Sequence, residues 1–176
     1  LTIGAGNVSL AAWVADKAAA SFTDAGATFE SFKLTRKEKW ESVDKVQQYP
    51  GVVDEEPTFC EEEIEFTMGE TDLAKLRWAM NIAAAQLTGT PPNETLLVGA
   101  ATRQFWTVKI DTAGPRGTNG TRGAQVVTCY KVRLGMDSIE YDRDKHQQIK
   151  VKGVVLYDIS VTTADKFHKH VITGAA

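Results

Sequence analysis

Alternating apolar and polar side chains organise the middle of the chain. In FESFKLTRKEKWESV, Phe32, Leu34 and Trp40 fall at even positions, while Lys33, Thr35, Lys37, Lys39 and Glu41 fall at odd ones. A period of two is the pattern of a half-buried strand. Further along, PTFCEEEIEFTM places Cys60, Ile64, Phe66 and Met68 at even positions and Glu61, Glu63 and Glu65 at odd ones. Antiparallel pairing of the two segments sets lysines and glutamates on one face, where opposite charges across a ladder contribute about 0.2–1 kcal/mol per pair. The pattern predicts one long hairpin over 32–68, ionic on one side and apolar on the other.

The connection SVDKVQQYPGVVDEEP, residues 42–57, carries a Pro50–Gly51 turn signal and Pro57. It exceeds the length at which loops in a domain are usually functional, about 12–15 residues. It keeps Val43, Val46, Tyr49, Val52 and Val53, more apolar surface than a solvated linker needs, so it is expected to meet a partner. Next, GETDLAKLRWAMNIAAAQLTG spaces Leu73, Leu76, Met80, Ala83 and Leu87 by threes and fours. That predicts a helix, capped by Thr71 or Asp72 and ended by Gly89 and Pro91–Pro92, with its apolar stripe across a sheet and Trp78 packed inside. After it, RQFWTVKID, the glycine-rich TAGPRGTNGTRGA and QVVTCYKVRLG predict strand, mobile loop (113–124) and strand, with Asn119–Gly120 suited to a primed hairpin turn. The end predicts a short charged loop, the strand IKVKGVVLYDI, a helical turn at 163–170 and a small-residue tail. The expected class is mainly β (α+β), with one flanking helix and a long inter-strand loop; strands and helices do not alternate as a doubly wound sheet requires.

The 176 residues suffice for one domain, 1–176, with a core that needs neither disulfides nor metal. Hydrophobic residues at 43% and charged residues at 24% are values of a chain that folds. A net charge of −3 opposes tight nucleic-acid binding, which needs clustered Lys and Arg. Cys60 and Cys129 lie in strand-like stretches without metal or redox spacing and are expected to be buried thiols. No run approaches the ~20 apolar residues of a membrane span. The opening LTIGAGNVSL has neither the basic end nor the apolar middle of a secretory signal, which predicts synthesis in the cytoplasm, and the missing initiator Met suggests a trimmed start.

The candidate chemistry is sparse. His168-x-His170 would bind a metal if both rings faced one way on a strand, yet among nearby residues only Asp165 adds a ligand, so no metal is expected. The Glu61–Glu65 cluster alternates opposite lysines, unlike an acid–base pair in a cleft. The glycines at 114, 117, 120 and 123 match neither phosphate-loop spacing, and no nucleophile motif is present. The chain is read as a non-enzyme without cofactor. A binding module remains as an alternative, with Trp40, Trp106 and Tyr130 as an aromatic platform for a glycan or peptide.

The succession GNVSLAAWVAD, FTDAGATFESFKLTRKEKWESVDKVQQYPGVVDEE, CEEEIEFTMGETDLAKLRWAMN and IKVKGVVLYDIS resembles the major tail tube proteins of long-tailed, siphovirus-like bacteriophages. The resemblance excludes 113–124 and the tail. It implies a β-sandwich or barrel-like subunit with one flanking helix that closes into six-fold rings, stacked as a hollow conduit in the virion tail. Partners implied are further copies of the chain and the tail terminator, tape measure and tail-tip proteins, with genomic DNA passing unbound. On that basis Lys33, Thr35, Glu61, Glu63 and Glu65 are expected to face the lumen, and Val46, Tyr49, Val52, Val53 and Asp54 to reach the next ring. Lys33, Lys37 and Lys39 sit awkwardly in an acidic bore: either the glutamates across the ladder neutralise them, or the hairpin end that bears Lys37 and Lys39 leaves the bore and helps form the ring-to-ring contact. A tail-tip or secretion-system ring protein of the same fold is the structural alternative.

Overall fold

The hairpin predicted by alternation forms. In a computed structural model, which describes residues 2–3, 6–17, 21–26, 28, 32–43, 54–69, 72–90, 92–99, 104–116, 122–140 and 148–173, the chain runs β1 (Thr2–Ile3), β2 (Gly6–Ala12), β3 (Thr23–Asp24), β4 (Phe32–Val43), β5 (Asp54–Met68), α1 (Leu73–Ala79), β6 (Leu87–Thr90), β7 (Asn93–Leu96), β8 (Trp106–Arg116), β9 (Arg122–Glu140), β10 (Gln148–Val155) and β11 (His168–Thr173). The class is mainly β with one helix, as the sequence predicts.

One antiparallel sheet holds the strands in the order β1-β4-β5-β10-β9-β8-β2-β3, and β6 and β7 form a separate hairpin. The long β9 pairs with β8 along one edge. Its other edge takes β10 opposite 132–140 and β11 opposite 124–129, so these two lie end to end while 156–167 loops out between them. That loop is tied down at both ends. Leu156 N–H donates to Lys131 O at 2.7 Å and Asp158 N–H to Lys166 O at 3.0 Å. The buried Asp158 carboxylate accepts from the Trp13 indole at 2.8 Å and the Ser160 hydroxyl at 2.7 Å. Burial would raise that carboxyl, but the bonds from Ser160 and Trp13 outweigh it and hold it below the usual range.

The sheet curls until its margins meet. β1 lies at one margin, against β4, and β2 lies near the other, against β8. Only residues 4 and 5 separate Ile3 from Gly6, so the margins approach within about 11 Å. Thr28 completes the junction, bridging Met68 of β5 and donating its hydroxyl to Gly6 O at 2.7 Å. The enclosed core includes Val8, Leu10, Ile64, Phe66, Val108, Ile110, Val127, Val132, Ile149 and Val151. Burial of each such large side chain contributes about 1.5–3 kcal/mol. Phe32 and Phe66 stack with centroids 6.3 Å apart, joining the hairpin strands from within.

Helix α1 starts where Asp72 accepts from Lys75 N–H at 2.7 Å and stops well before the predicted end. Asn81 adopts φ 55, and the bonds Asn81 N–H to Trp78 O and Ile82 N–H to Arg77 O close a Schellman terminus. Asn81 Oδ1 then accepts from the buried Trp106 indole at 2.9 Å. One asparagine thus caps the helix and satisfies the core, and Ala83 and Leu87 fall outside the helix. Trp78 packs edge-on against Trp106, as expected of a packing residue.

Other expectations need correction. Residues 168–170, expected in a helical turn, begin β11, because pairing with Val127–Cys129 offers the backbone a ladder. Most of the expected loop 113–124 is strand: Ala113 pairs with Ala124 and Arg116 with Arg122 across an irregular ladder. The 42–57 connection is shorter than expected, since Ser42 and Val43 pair with Glu55 and Asp54. Val46, Tyr49, Val52, Val53, Thr71 and Asn119–Gly120 lie outside the described residues.

Two glycines on neighbouring strands of the sheet give a paired test. A Cβ on Gly153 would meet Val132 Cγ1 at 2.8 Å, Ile64 Cγ1 at 2.9 Å and Leu134 Cδ2 at 3.0 Å, whereas one on Gly135 would find nothing nearer than 3.8 Å. Gly153→Ala is expected to destabilise by about 1–3 kcal/mol through overpacking and Gly135→Ala to stay within about 0.5 kcal/mol, read from urea midpoints at constant slope.

Candidate functional site

The outward face of β4, β5, β10 and β9 is a single charged surface. Register sets Lys33 across from Glu65, Thr35 from Glu63 and Lys37 from Glu61. On the other side of β5, Lys152 faces Glu65 and Val154 faces Glu63. β9 adds Arg133, across from Val154, and Gly135, across from Lys152. All five lumen-facing candidates therefore share one face, around a shallow concavity lined by Lys33, Lys37, Glu63, Glu65, Arg133 and Lys152. Lys37 Nζ reaches Glu63 at 2.9 Å and Lys152 Nζ reaches Asp137 at 3.1 Å. Those bonds, to Glu63 and to Asp137, raise the respective lysines above their ordinary value.

This face is balanced, not acidic. Lys33, Lys37, Arg133, Lys150 and Lys152 are set among Glu61, Glu63, Glu65, Asp137 and Glu140. Neutralisation across the ladder accounts for Lys37. β10 leaves β5 at Glu62, so Lys37 and Lys39 also stand where the hairpin projects as a two-stranded ribbon, and Lys39 approaches Glu41 at 3.5 Å. Arg133, Asp137, Lys150 and Lys152 belong to this surface and were not singled out from the sequence. The signal was present in KVRLGMD and IKVKG, whose charges alternate with apolar residues.

The inward face holds an exception to the alternation. Glu62 occupies an even, core-facing position and is fully buried. Its Oε1 accepts from Arg36 Nη1 at 3.2 Å and its Oε2 lies 2.6 Å from His168 Nδ1. Arg36 also bonds Glu38, the larger of the effects that raise it. His170 follows His168 on the same face of β11, ring centroids 4.8 Å apart, with Gln125 Nε2 at 3.3 Å from its Nδ1. Burial, then His168, lowers the His170 imidazole, against a smaller upward pull from Glu62. Cys129, the ladder partner of His168, is buried and its thiol is pushed up by burial; Cys60 is half-buried and shifted the same way.

Trp40, expected on the apolar side of the hairpin, is 50% exposed because the ribbon there has outrun the rest of the sheet. Trp106 and Tyr130 are buried, so the three aromatics considered as a glycan or peptide platform do not share a surface. Among the described residues no three potential ligands converge on a metal position, and no helix is long and apolar enough to cross a membrane. Asp54 begins β5 opposite Val43. Neither a scan of protein-family models nor a search of curated proteins matches this chain.

Two ion pairs of the hairpin should differ in consequence. Arg36→Ala leaves a buried carboxylate without its guanidinium and is expected to cost roughly 2–3 kcal/mol, less than for two buried partners because Arg36 keeps one side in water. Lys37→Ala, on the solvated face, should leave the urea midpoint unchanged.

Proposed function

We propose that the chain is a structural subunit of a phage tail tube, whose charged four-stranded face lines a channel shared by a ring of identical copies. One observation carries this reading: the surface that would form the wall has two open and unlike lateral edges. Beyond Lys33, β4 is paired on one edge only, and beyond Val132 so is β9, among the described residues. The successive antiparallel pairings run β4 and β9 in opposite directions. The β9 edge of one copy would therefore continue the antiparallel alternation on the β4 edge of the next. Unlike surfaces meeting head to tail generate a ring when the rotation closes, and main-chain bonds at an open edge supply the affinity.

The charge pattern suits a conduit. Attraction to phosphate grows with each uncompensated Lys or Arg. On this face the cations stand among carboxylates, so passing DNA meets a wall without net positive charge. Catalysis plays no part in this role, and the virion tail is the proposed location.

Negative-stain microscopy of purified protein is expected to show rings or stacked tubes. Isolated rings would favour the tail-tip alternative, and a strictly monomeric protein under assembly conditions would overturn the proposal. Assembled wild-type tubes should sediment free of DNA at about 0.15 M salt, whereas tubes of the triple variant Glu61→Gln, Glu63→Gln, Glu65→Gln should retain it and release it steeply as salt rises.

A further inference from the structure

β11 is attached to the body in an unusual way. From His168 to Ile172 none of its side chains is fully buried, and Val171 and Ile172 are 41% and 56% exposed. Only one edge is hydrogen-bonded among the described residues, to β9. Apolar burial, which holds most strands in place, contributes little here. What joins β11 to the hairpin is the contact between His168 and the buried carboxylate of Glu62.

We propose that β11 is an acid-releasable strap, clasped to β5 at neutral pH through the contact of His168 with Glu62 and freed in mild acid as His170 beside it gains charge. Glu62 is faced by Arg36 from β4, with Glu38 behind it, by Cys60 of its own strand, by Cys129 from β9 and by the two imidazoles from β11. His170 is faced by His168, by Glu62 and by the uncharged Gln125. At neutral pH the carboxylate accepts from Arg36 and His168, and His170 carries no charge.

Acid disturbs this arrangement in one direction. Acid charges His170, whose ring lies 4.8 Å from that of His168, and both burial and that neighbouring imidazole oppose the charge. Burial and His168 hold His170 below its ordinary value while β11 is docked. The released strand therefore binds that proton more readily. The contribution to docking is present above the ordinary histidine value and is lost as pH falls from there through the lowered one.

Amide hydrogen exchange of the full chain tests this, with rates corrected for their intrinsic pH dependence, at about pH 7.5 and about pH 5, the interval in which imidazoles gain charge. The wild-type peptide spanning 168–173 should lose protection several-fold in acid while 148–155 keeps its own. His170→Asn, a change at an exposed position that leaves the fold intact, should remove most of that acid sensitivity. Equal loss in both peptides, unchanged protection of 168–173, or an undiminished effect in His170→Asn would each overturn the proposal.

Discussion

The junction between Ile3 and Gly6 constrains everything else in the molecule. A chain that pairs with β4 and, after residues 4 and 5, with β8 draws the two margins of one sheet together. Once the sheet is curled, each strand has an inside and an outside, and alternation becomes a steric requirement. The first residue of β2 has no room for a side chain: a Cβ on Gly6 would lie 2.5 Å from Asp111 O of the paired β8. The bond from Thr28 to Gly6 and its bridge to Met68 fix the same corner from the other margin.

Within that frame stability is uneven. The strands around Ile64, Phe66, Val108, Val127 and Val151 are anchored by complete burial. The 156–167 loop depends instead on polar anchors. Tyr130 OH donates to Asp165 at 2.8 Å, the Trp13 indole donates to Asp158, and Lys131 lies over the Trp13 and Phe105 rings at 4.4 and 4.8 Å. Segments with few buried apolar contacts open at lower free energy than the core, and β11 belongs to that group.

The open stretches of β4 and β9 would be a hazard in a monomer, because unpaired edges recruit other strands. Both carry charge: Arg36, Lys37 and Lys39 on β4, Arg133 and Asp137 on β9. Charged edges resist indiscriminate pairing yet admit a partner whose charges interleave, which is what the proposed ring contact asks of them. The same ionic residues that would line the proposed channel thus limit the wrong associations of the free subunit.

The sequence by itself determined the hairpin over 32–68, its two-sidedness, the mainly-β class and a helix start at Thr71 or Asp72, since each rests on local periodicity or a local capping preference. Phe32, Ile64 and Phe66 are buried, and Glu61, Glu63 and Glu65 share the outward face, for that reason. Tertiary structure decided the remainder. Asn81 ends the helix early because the Trp106 indole needs its side-chain oxygen. Residues 168–170 extend because the edge of β9 was unfilled, and Glu62 is accommodated inside because Arg36 and His168 reach it from two other strands. Partners far apart in the chain leave no local pattern, so periodicity could assign these residues a face but not the company they keep there.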